Sequence, residues 1–468
     1  MLNNKNKDIH LFNYKNMKLV YDVNSGSLHR VDDLGWELIS LILDGLEKQE
    51  IIYRLQSSFP PEEIISAFLQ VEEMQKNNLL FSPEPALREE ALSPHRVKSL
   101  CLFVTHACNL SCKYCFARKE GNYRPVHMSS QVAQKAVDFL LEGDGPRFRE
   151  IDFFGGEPLL HFPLVKETVN YAKKRASLLG REVTFTVTTN ALLLDDEVAD
   201  FLEQENINVI ISIDGRPQVH DLMRSRENSR GSYTDTVCNA ENFVLKRKFD
   251  NYYIRGTYTR ENLDFCEDVK HLLNLGFESL SLEPVIAPEE EGYALREEDL
   301  PRLEKEYDRV AELYLERKLS GRPFTFYHFE MDLEKGPCLY KRLSGCGAGT
   351  EYLAVSPGGD LYPCHHFIEE KAFFMGNLLE KPFNLRREVG EDVFRAARER
   401  EKCLSCWARY LCGMGCSASS ALMAGGLEKN YGLGCSLQKI RLERALYLQA
   451  AAAVANAGNE ELDRPHFL

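Results

Sequence analysis

From Ser99 to about Gly321 the chain alternates between short runs of β-rich apolar residues and longer stretches with apolar residues at helical spacing. The runs fall at 99–104, 149–154, 183–189, 207–213, 251–258 and 279–285. Helical patterns near 129–142, 163–179, 195–204, 233–248, 264–275 and 299–319 follow them in turn. Six strand–helix units in succession predict an α/β fold with parallel strands and helices outside, since each crossover must return to the same sheet. A set of this size makes a partial (β/α)6 barrel, open enough to take a large substrate from its side. Before it, Ile9–Tyr14, Lys18–Asp22 and Ser27–Val31 alternate as three strands, with Asn24-Ser25-Gly26 as a hairpin turn. A helical pattern then starts at Asp33, carried by Leu34, Leu38, Leu41 and Ile42, and two more lie near Glu47–Ser57 and Pro61–Asn77. Pro61 suits a first helical turn. The polar stretch Ser82–Arg96 reads as a linker, and after Gly321 only short segments and a Pro-Gly-Gly turn at 357–359 remain. The expected division is 1–95, 96–321 and 322–468.

Composition narrows the function classes. The 468 residues carry a net charge of −14, which argues against a nucleic-acid partner, because phosphate binding needs a basic surface. No apolar stretch follows Met1-Leu2-Asn3-Asn4-Lys5, so no secretory signal is expected, and Ala445–Ala457 is too short to span a bilayer. Fourteen cysteines in a chain expected to be cytoplasmic read as metal ligands rather than disulfides.

Their spacing carries the chemistry. Cys108, Cys112 and Cys115 form CxxxCxxC directly after the first strand of the barrel, at the carboxyl end where open α/β sheets place ligands. Three such cysteines can grip three irons of a [4Fe–4S] cube and leave the fourth for a small chelating molecule. Gly155-Gly156-Glu157-Pro158 follows the second strand, where glycines without a Cβ let the backbone approach a ligand closely. Near the carboxyl end come Cys346, Cys364, then Cys403-x2-Cys406-x5-Cys412-x3-Cys416, and Cys435. Paired cysteines of this kind also make zinc knuckles.

CxxxCxxC with Tyr114 before its last cysteine resembles the signature of radical S-adenosylmethionine (SAM) enzymes. That resemblance implies that Cys108, Cys112 and Cys115 hold a catalytic cube whose open iron is chelated by SAM. It makes Gly155, Gly156, Glu157 and Tyr114 part of the SAM site, and Ser212 and Arg224 further contacts, Arg224 suited to the SAM carboxylate. Thr188, Thr189, Asn190 and Asp214 lie at neighbouring strand ends. The late cysteines resemble the SPASM extension of peptide-modifying members, implying two auxiliary [4Fe–4S] clusters and three in all. One would take Cys338, Cys346, Cys364 and Cys416, unless Cys338 leaves an iron open for a substrate thiol. The other would take Cys403, Cys406, Cys412 and Cys435. The first 95 residues are similar to the winged-helix-like recognition element that binds a precursor's leader as an added strand.

Taken whole, the chain resembles maturases of SCIFF peptides, most closely at 336–347 and 361–365. The resemblance implies thioether bonds between a cysteine sulfur and a carbon of another residue in a cysteine-rich precursor. It also implies an external electron donor such as a flavodoxin or ferredoxin. His365 stands where sulfatase maturases carry an Asp base, which speaks against their activity. The alternatives are another SPASM modification, such as carbon–carbon cross-linking, and a zinc-stabilised peptide-binding adaptor that would not cleave SAM.

Overall fold

A computed structural model describes residues 7–85, 96–117, 125–331, 333 and 345–457. The first sheet is antiparallel, with β1 (Ile9–Tyr14), β2 (Met17–Asp22) and β3 (Leu28–Val31) in order. Helices α1 (Asp33–Leu43), α2 (Lys48–Leu55) and α3 (Pro61–Lys76) follow. Asp32, one residue before the predicted start, caps α1 by accepting from the Gly35 amide. Ile51, Leu55, Ile64 and Phe68 bury one stripe of α2 and α3 against α1 and the sheet.

The second sheet runs in chain order through β4 (Ser99–Thr105), β5 (Phe148–Gly155), β6 (Glu182–Thr189), β7 (Asn208–Ser212), β8 (Tyr252–Tyr258) and β9 (Ser279–Pro284). All neighbouring pairs are parallel. Each strand is followed by helix: α4 (Ser130–Glu142), α5 (Phe162–Leu178), α6 (Asp196–Gln204), α7 (Pro217–Met223) with α8 (Tyr233–Glu241), α9 (Phe265–Asn274) and α10 (Leu300–Leu319). Strand alternation explains the packing. Leu100, Leu102, Ile151, Phe153, Phe185, Val187, Val209 and Ile211 belong to the main apolar core with the helices. Cys101, Asp152, Phe154, Thr186 and Thr188 face the barrel's interior instead.

Both edges of this sheet are covered by residues beyond Gly321. β10 (Thr325–Phe326) pairs parallel with β9, and β11 (Tyr352–Val355) pairs parallel with β4. β12 (Asp360–Tyr362) and β13 (Gly376–Asn377) continue antiparallel from β11. An uncovered edge would leave rows of unpaired N–H and C=O groups. These strands are too short for a hydrophobic pattern to announce them.

The first sheet is no free appendage. Phe12, Tyr14, Leu19, Tyr21 and Val23 share a core with Cys403, Tyr410, Met414 and Leu446. His10 stacks on Trp407 at 3.8 Å between centroids and 3° between planes. Arg409 bridges to Asp8 and donates to Asn24 Oδ1 at 2.9 Å. Among the described residues no helix is long and apolar enough to cross a membrane.

Candidate functional site

The loop after β4 is held by backbone on both sides. Ser111 and Lys113 donate to the carbonyls of Ser225 (2.7 Å) and Met223 (2.9 Å), which fixes the loop over the end of α7. On the other side Gly156 and Glu157 amides donate to the carbonyls of Thr105 and Ala107, each at 2.8 Å. A Cβ on Gly155 would strike the Thr105 carbonyl, and one on Gly156 the Ala107 carbonyl. The cysteine loop itself therefore approaches these glycines closely, and their lack of a side chain seats that loop on β5, while both also line the cavity beside it.

Glu157 is 1% exposed. Its carboxylate accepts from the amides of Leu159 (3.0 Å) and Asn190 (2.8 Å) and from Thr189 Oγ1 (2.8 Å). It therefore ties the ends of β5 and β6 together, while burial lifts its pKa to about 7. Asn190 donates to Asn109 Oδ1 at 2.7 Å within the cysteine loop, and its amide nitrogen lies 3.9 Å from Cys108 Sγ. Tyr114 donates to Asp214, which also accepts from Arg224 Nε and the Thr257 amide, both at 2.9 Å. The Arg224 guanidinium lies over the Tyr114 ring, 5.4 Å from its centroid. Burial raises the Cys108 thiol to about 12 and Cys112 to about 11, with Arg224 opposing the rise at Cys112. Ser212 lines the same cavity.

The late cysteines fall into two groups. Cys346, Cys364 and Cys416 lie within electrostatic reach of one another. Cys435 lies within such reach of Cys403, Cys406 and Cys412. A run of left-handed residues, Gly413 (φ 68°), Met414 (φ 66°) and Gly415 (φ 78°), turns the chain between Cys412 and Cys416. That reversal sends two cysteines four positions apart to different groups. Met414 at positive φ costs about 1–2 kcal/mol, held in place by the contacts around it. Cys338 lies outside the described residues.

Sequence reasoning missed Arg400. It is 2% exposed, donating to the carbonyls of Leu427 (2.8 Å) and Met414 (2.6 Å), and lies within reach of Cys403, Cys412, Cys416 and Cys435. In a stretch of alternating arginine and glutamate nothing marked it, except its place three residues before Cys403. Asn430 was missed too; its amide nitrogen donates to Cys403 Sγ at 3.1 Å.

One cavity of about 560 Å³ collects these features, lined by Cys108, Cys112 and Cys115 and by Cys403, Cys412 and Cys435. The donor set fits iron–sulfur clusters. Backbone amides donate to Cys108 Sγ from Leu110 and to Cys416 Sγ from Ser419, both at 3.4 Å. Further amides reach Cys346, Cys364 and Cys412. Such N–H···S bonds stabilise ligated thiolates and tune a cluster's potential. Among the described residues no three Cys, His, Asp or Glu side chains converge as ligands of one ion.

Phe116, Phe154, His365 and His366 form an aromatic wall of this cavity, with Phe116 and His366 centroids 4.3 Å apart. His365 Nδ1 lies 3.0 Å from the Tyr352 hydroxyl, and burial with the nearby Arg255 holds both imidazoles below the usual histidine range. At the end of β9 Glu283 meets His328 at 3.0 Å and Arg441 at 3.7 Å.

The sequence profile of the radical SAM superfamily matches residues 102–269. An uncharacterized protein of Methanocaldococcus jannaschii is 30% identical over 286 residues, covering 61% of this chain and 90% of that protein. The cysteine-type anaerobic sulfatase-maturating enzyme of Clostridium novyi is 24% identical, over 68% of this chain and 88% of its own length. Among solved structures, anSMEcpe with bound AdoMet superposes with a TM-score of 0.63 at 19% identity, covering 78% of this chain and 97% of that one. Streptococcus suis SuiB bound to the precursor peptide SuiA gives 0.53 at 14% identity, covering 92% and 98%.

Proposed function

The chain belongs to the radical SAM superfamily, and on that premise we propose that it is a peptide maturase that forms thioether cross-links within a cysteine-rich precursor. The observation that carries this reading is one cavity lined both by Cys108, Cys112 and Cys115 and by Cys403, Cys406, Cys412, Cys416 and Cys435. A peptide lying there would have a radical source on one side and an electron acceptor on the other, which a net oxidation needs. Relatives named as sulfatase-maturating enzyme and as mycofactocin maturase support a peptide substrate.

Cys108, Cys112 and Cys115 would hold the catalytic cube. Bound there with SAM, it supplies a carbon radical able to take hydrogen from an unactivated carbon. Tyr114, Asp214 and Arg224 would hold SAM in register with Cys112, and Glu157 would keep the GGEP turn in place. Cys346, Cys364 and Cys416, with Cys338 or an open iron, would hold one auxiliary cluster, and Cys403, Cys406, Cys412 and Cys435 the other. Residues 1–95 would bind the leader, and a flavodoxin or ferredoxin would donate electrons. The carboxylate base of sulfatase maturases is replaced by His365, held at Tyr352. A substrate thiol needs no strong base to become a thiolate.

The test is tandem mass spectrometry of a cysteine-rich precursor peptide incubated with the reconstituted enzyme and SAM, after reduction and alkylation. A loss of two hydrogens per cross-link, with one cysteine refusing alkylation each time, is the expected result. Full alkylation with the mass loss retained would move the bond to carbon.

A further inference from the structure

The interior of the barrel holds a second cavity, of about 490 Å³, that the proposed chemistry does not use. Inward positions of such barrels are ordinarily filled by bulky branched residues. Here the strand register places Cys101, Asp152, Thr186 and Asn208 side by side in one row across β4, β5, β6 and β7. All four line the cavity. Thr186 and Cys101 of this row are buried, Asp152 is half-buried and Asn208 is exposed, so the row runs from the barrel's interior out to solvent.

The charge is also unbalanced. Glu150, one inward position below Asp152, and Asp250 lie exposed at the cavity's mouth. Asp152 accepts from Thr186, but among the described residues no cation pairs with it. The lining holds one arginine, Arg255. Register with Ser212 puts Arg255 four residues further along the strands than the Asp152 row, roughly 13 Å at the usual rise. Burial and Glu150 push the Asp152 carboxyl up to about 7, against the hydrogen bond from Thr186. Tyr253, three strands away on β8, stacks with Tyr327, with centroids 6.0 Å apart and planes at 18°, and Tyr352 lies at the Cys101 side of the row, hydrogen-bonded with that thiol. Carboxylates with aromatic faces are what an organic cation needs.

We infer that this interior cavity is a binding site for an alkylammonium or guanidinium group on a slender chain, with Asp152 as its counter-charge and the tyrosines as its walls. Its deep end is bounded by Phe154, Thr188, Arg255 and His365, which also line the larger cavity, so a cation seated here lies directly behind the proposed reaction site.

Cys101 provides the reporter: it lines the cavity in the same row as Asp152, its buried thiol is hydrogen-bonded with Tyr352, and it matches no cluster motif. In the anaerobically reconstituted holoenzyme, Cys101 is labelled with cationic aminoethyl methanethiosulfonate and with neutral methyl methanethiosulfonate. Rates are read at that residue by peptide mass spectrometry. The cationic reagent should react on the order of tenfold faster relative to the neutral one, and Asp152→Asn should bring the ratio near one. The ratio cancels any effect of the substitution on the thiol itself. Cadaverine and an acetylated lysine tetrapeptide amide serve as protectants. Protection by cadaverine alone assigns the site to free amines, and protection by the peptide assigns it to a peptide side chain. Equal rates in the unaltered chain, a preference that survives Asp152→Asn, no labelling by either reagent, or no protection by either amine would each overturn the proposal.

Discussion

The two cysteine regions that share the main cavity are built in opposite ways. Cys108–Cys115 leaves the end of a parallel strand and is clamped by ordinary backbone hydrogen bonds, with Gly155 and Gly156 allowing the clamp to close. Cys403–Cys416 rests on single helical turns, a left-handed run at 413–415 and the buried cation Arg400. The first is a product of the sheet, held by backbone hydrogen bonds that themselves need no metal. The second has little regular structure of its own and leans on the apolar face of β1 and β2 and on the metal it is proposed to hold. Metal binding should therefore be folding energy for the second region and much less so for the first.

The largest effect separating them is chemical. Replacing Cys108, Cys112 and Cys115 together by Ala should abolish production of 5′-deoxyadenosine and remove one cluster while leaving the melting temperature nearly unchanged. Cys403→Ala with Cys435→Ala should instead lower the melting temperature by several degrees. Equal thermal losses in the two variants would erase the distinction.

Glycine substitutions sharpen it next. Gly156→Ala places a methyl against the Ala107 carbonyl, and the rigid clamp should lose about 3 kcal/mol, with SAM binding lost as well. Gly415→Ala meets no backbone, only the end of Arg400 at 3.7 Å, so its cost should be the left-handed strain of about 1–2 kcal/mol. Chemical denaturation of both variants reads the difference.

Much of this was legible in the sequence, and the reasons it stopped are specific. Six strands of the barrel announced themselves because apolar runs of five to eight residues alternate with helical stripes. CxxxCxxC and GGEP were visible because their residues are consecutive. β10 to β13, of two to four residues, carry no period, so the closing of both sheet edges was hidden. The docking of β1 and β2 on Tyr410 and Met414 joins residues some four hundred positions apart, which no local pattern can report. The glycines of GGEP were seen, but only coordinates identify the carbonyls that make them necessary.

A smaller effect concerns Arg400. Replacing it by Met removes a buried cation in reach of Cys403, Cys412, Cys416 and Cys435 and strands the carbonyls of Leu427 and Met414. The stability loss should be about 1–3 kcal/mol. Loss of the positive charge should also move the auxiliary midpoint potentials to more negative values in a paramagnetic resonance titration, with the catalytic cluster unmoved. A uniform shift of every signal would mean that Arg400 acts through the fold as a whole.

The central claim is that both regions hold iron–sulfur clusters facing one cavity. Iron, acid-labile sulfide and zinc, counted per chain after anaerobic reconstitution, test it most directly. The account predicts ~12 iron and ~12 sulfide with no zinc, from three cubes. About 4 iron with zinc retained by the late cysteines would contradict it.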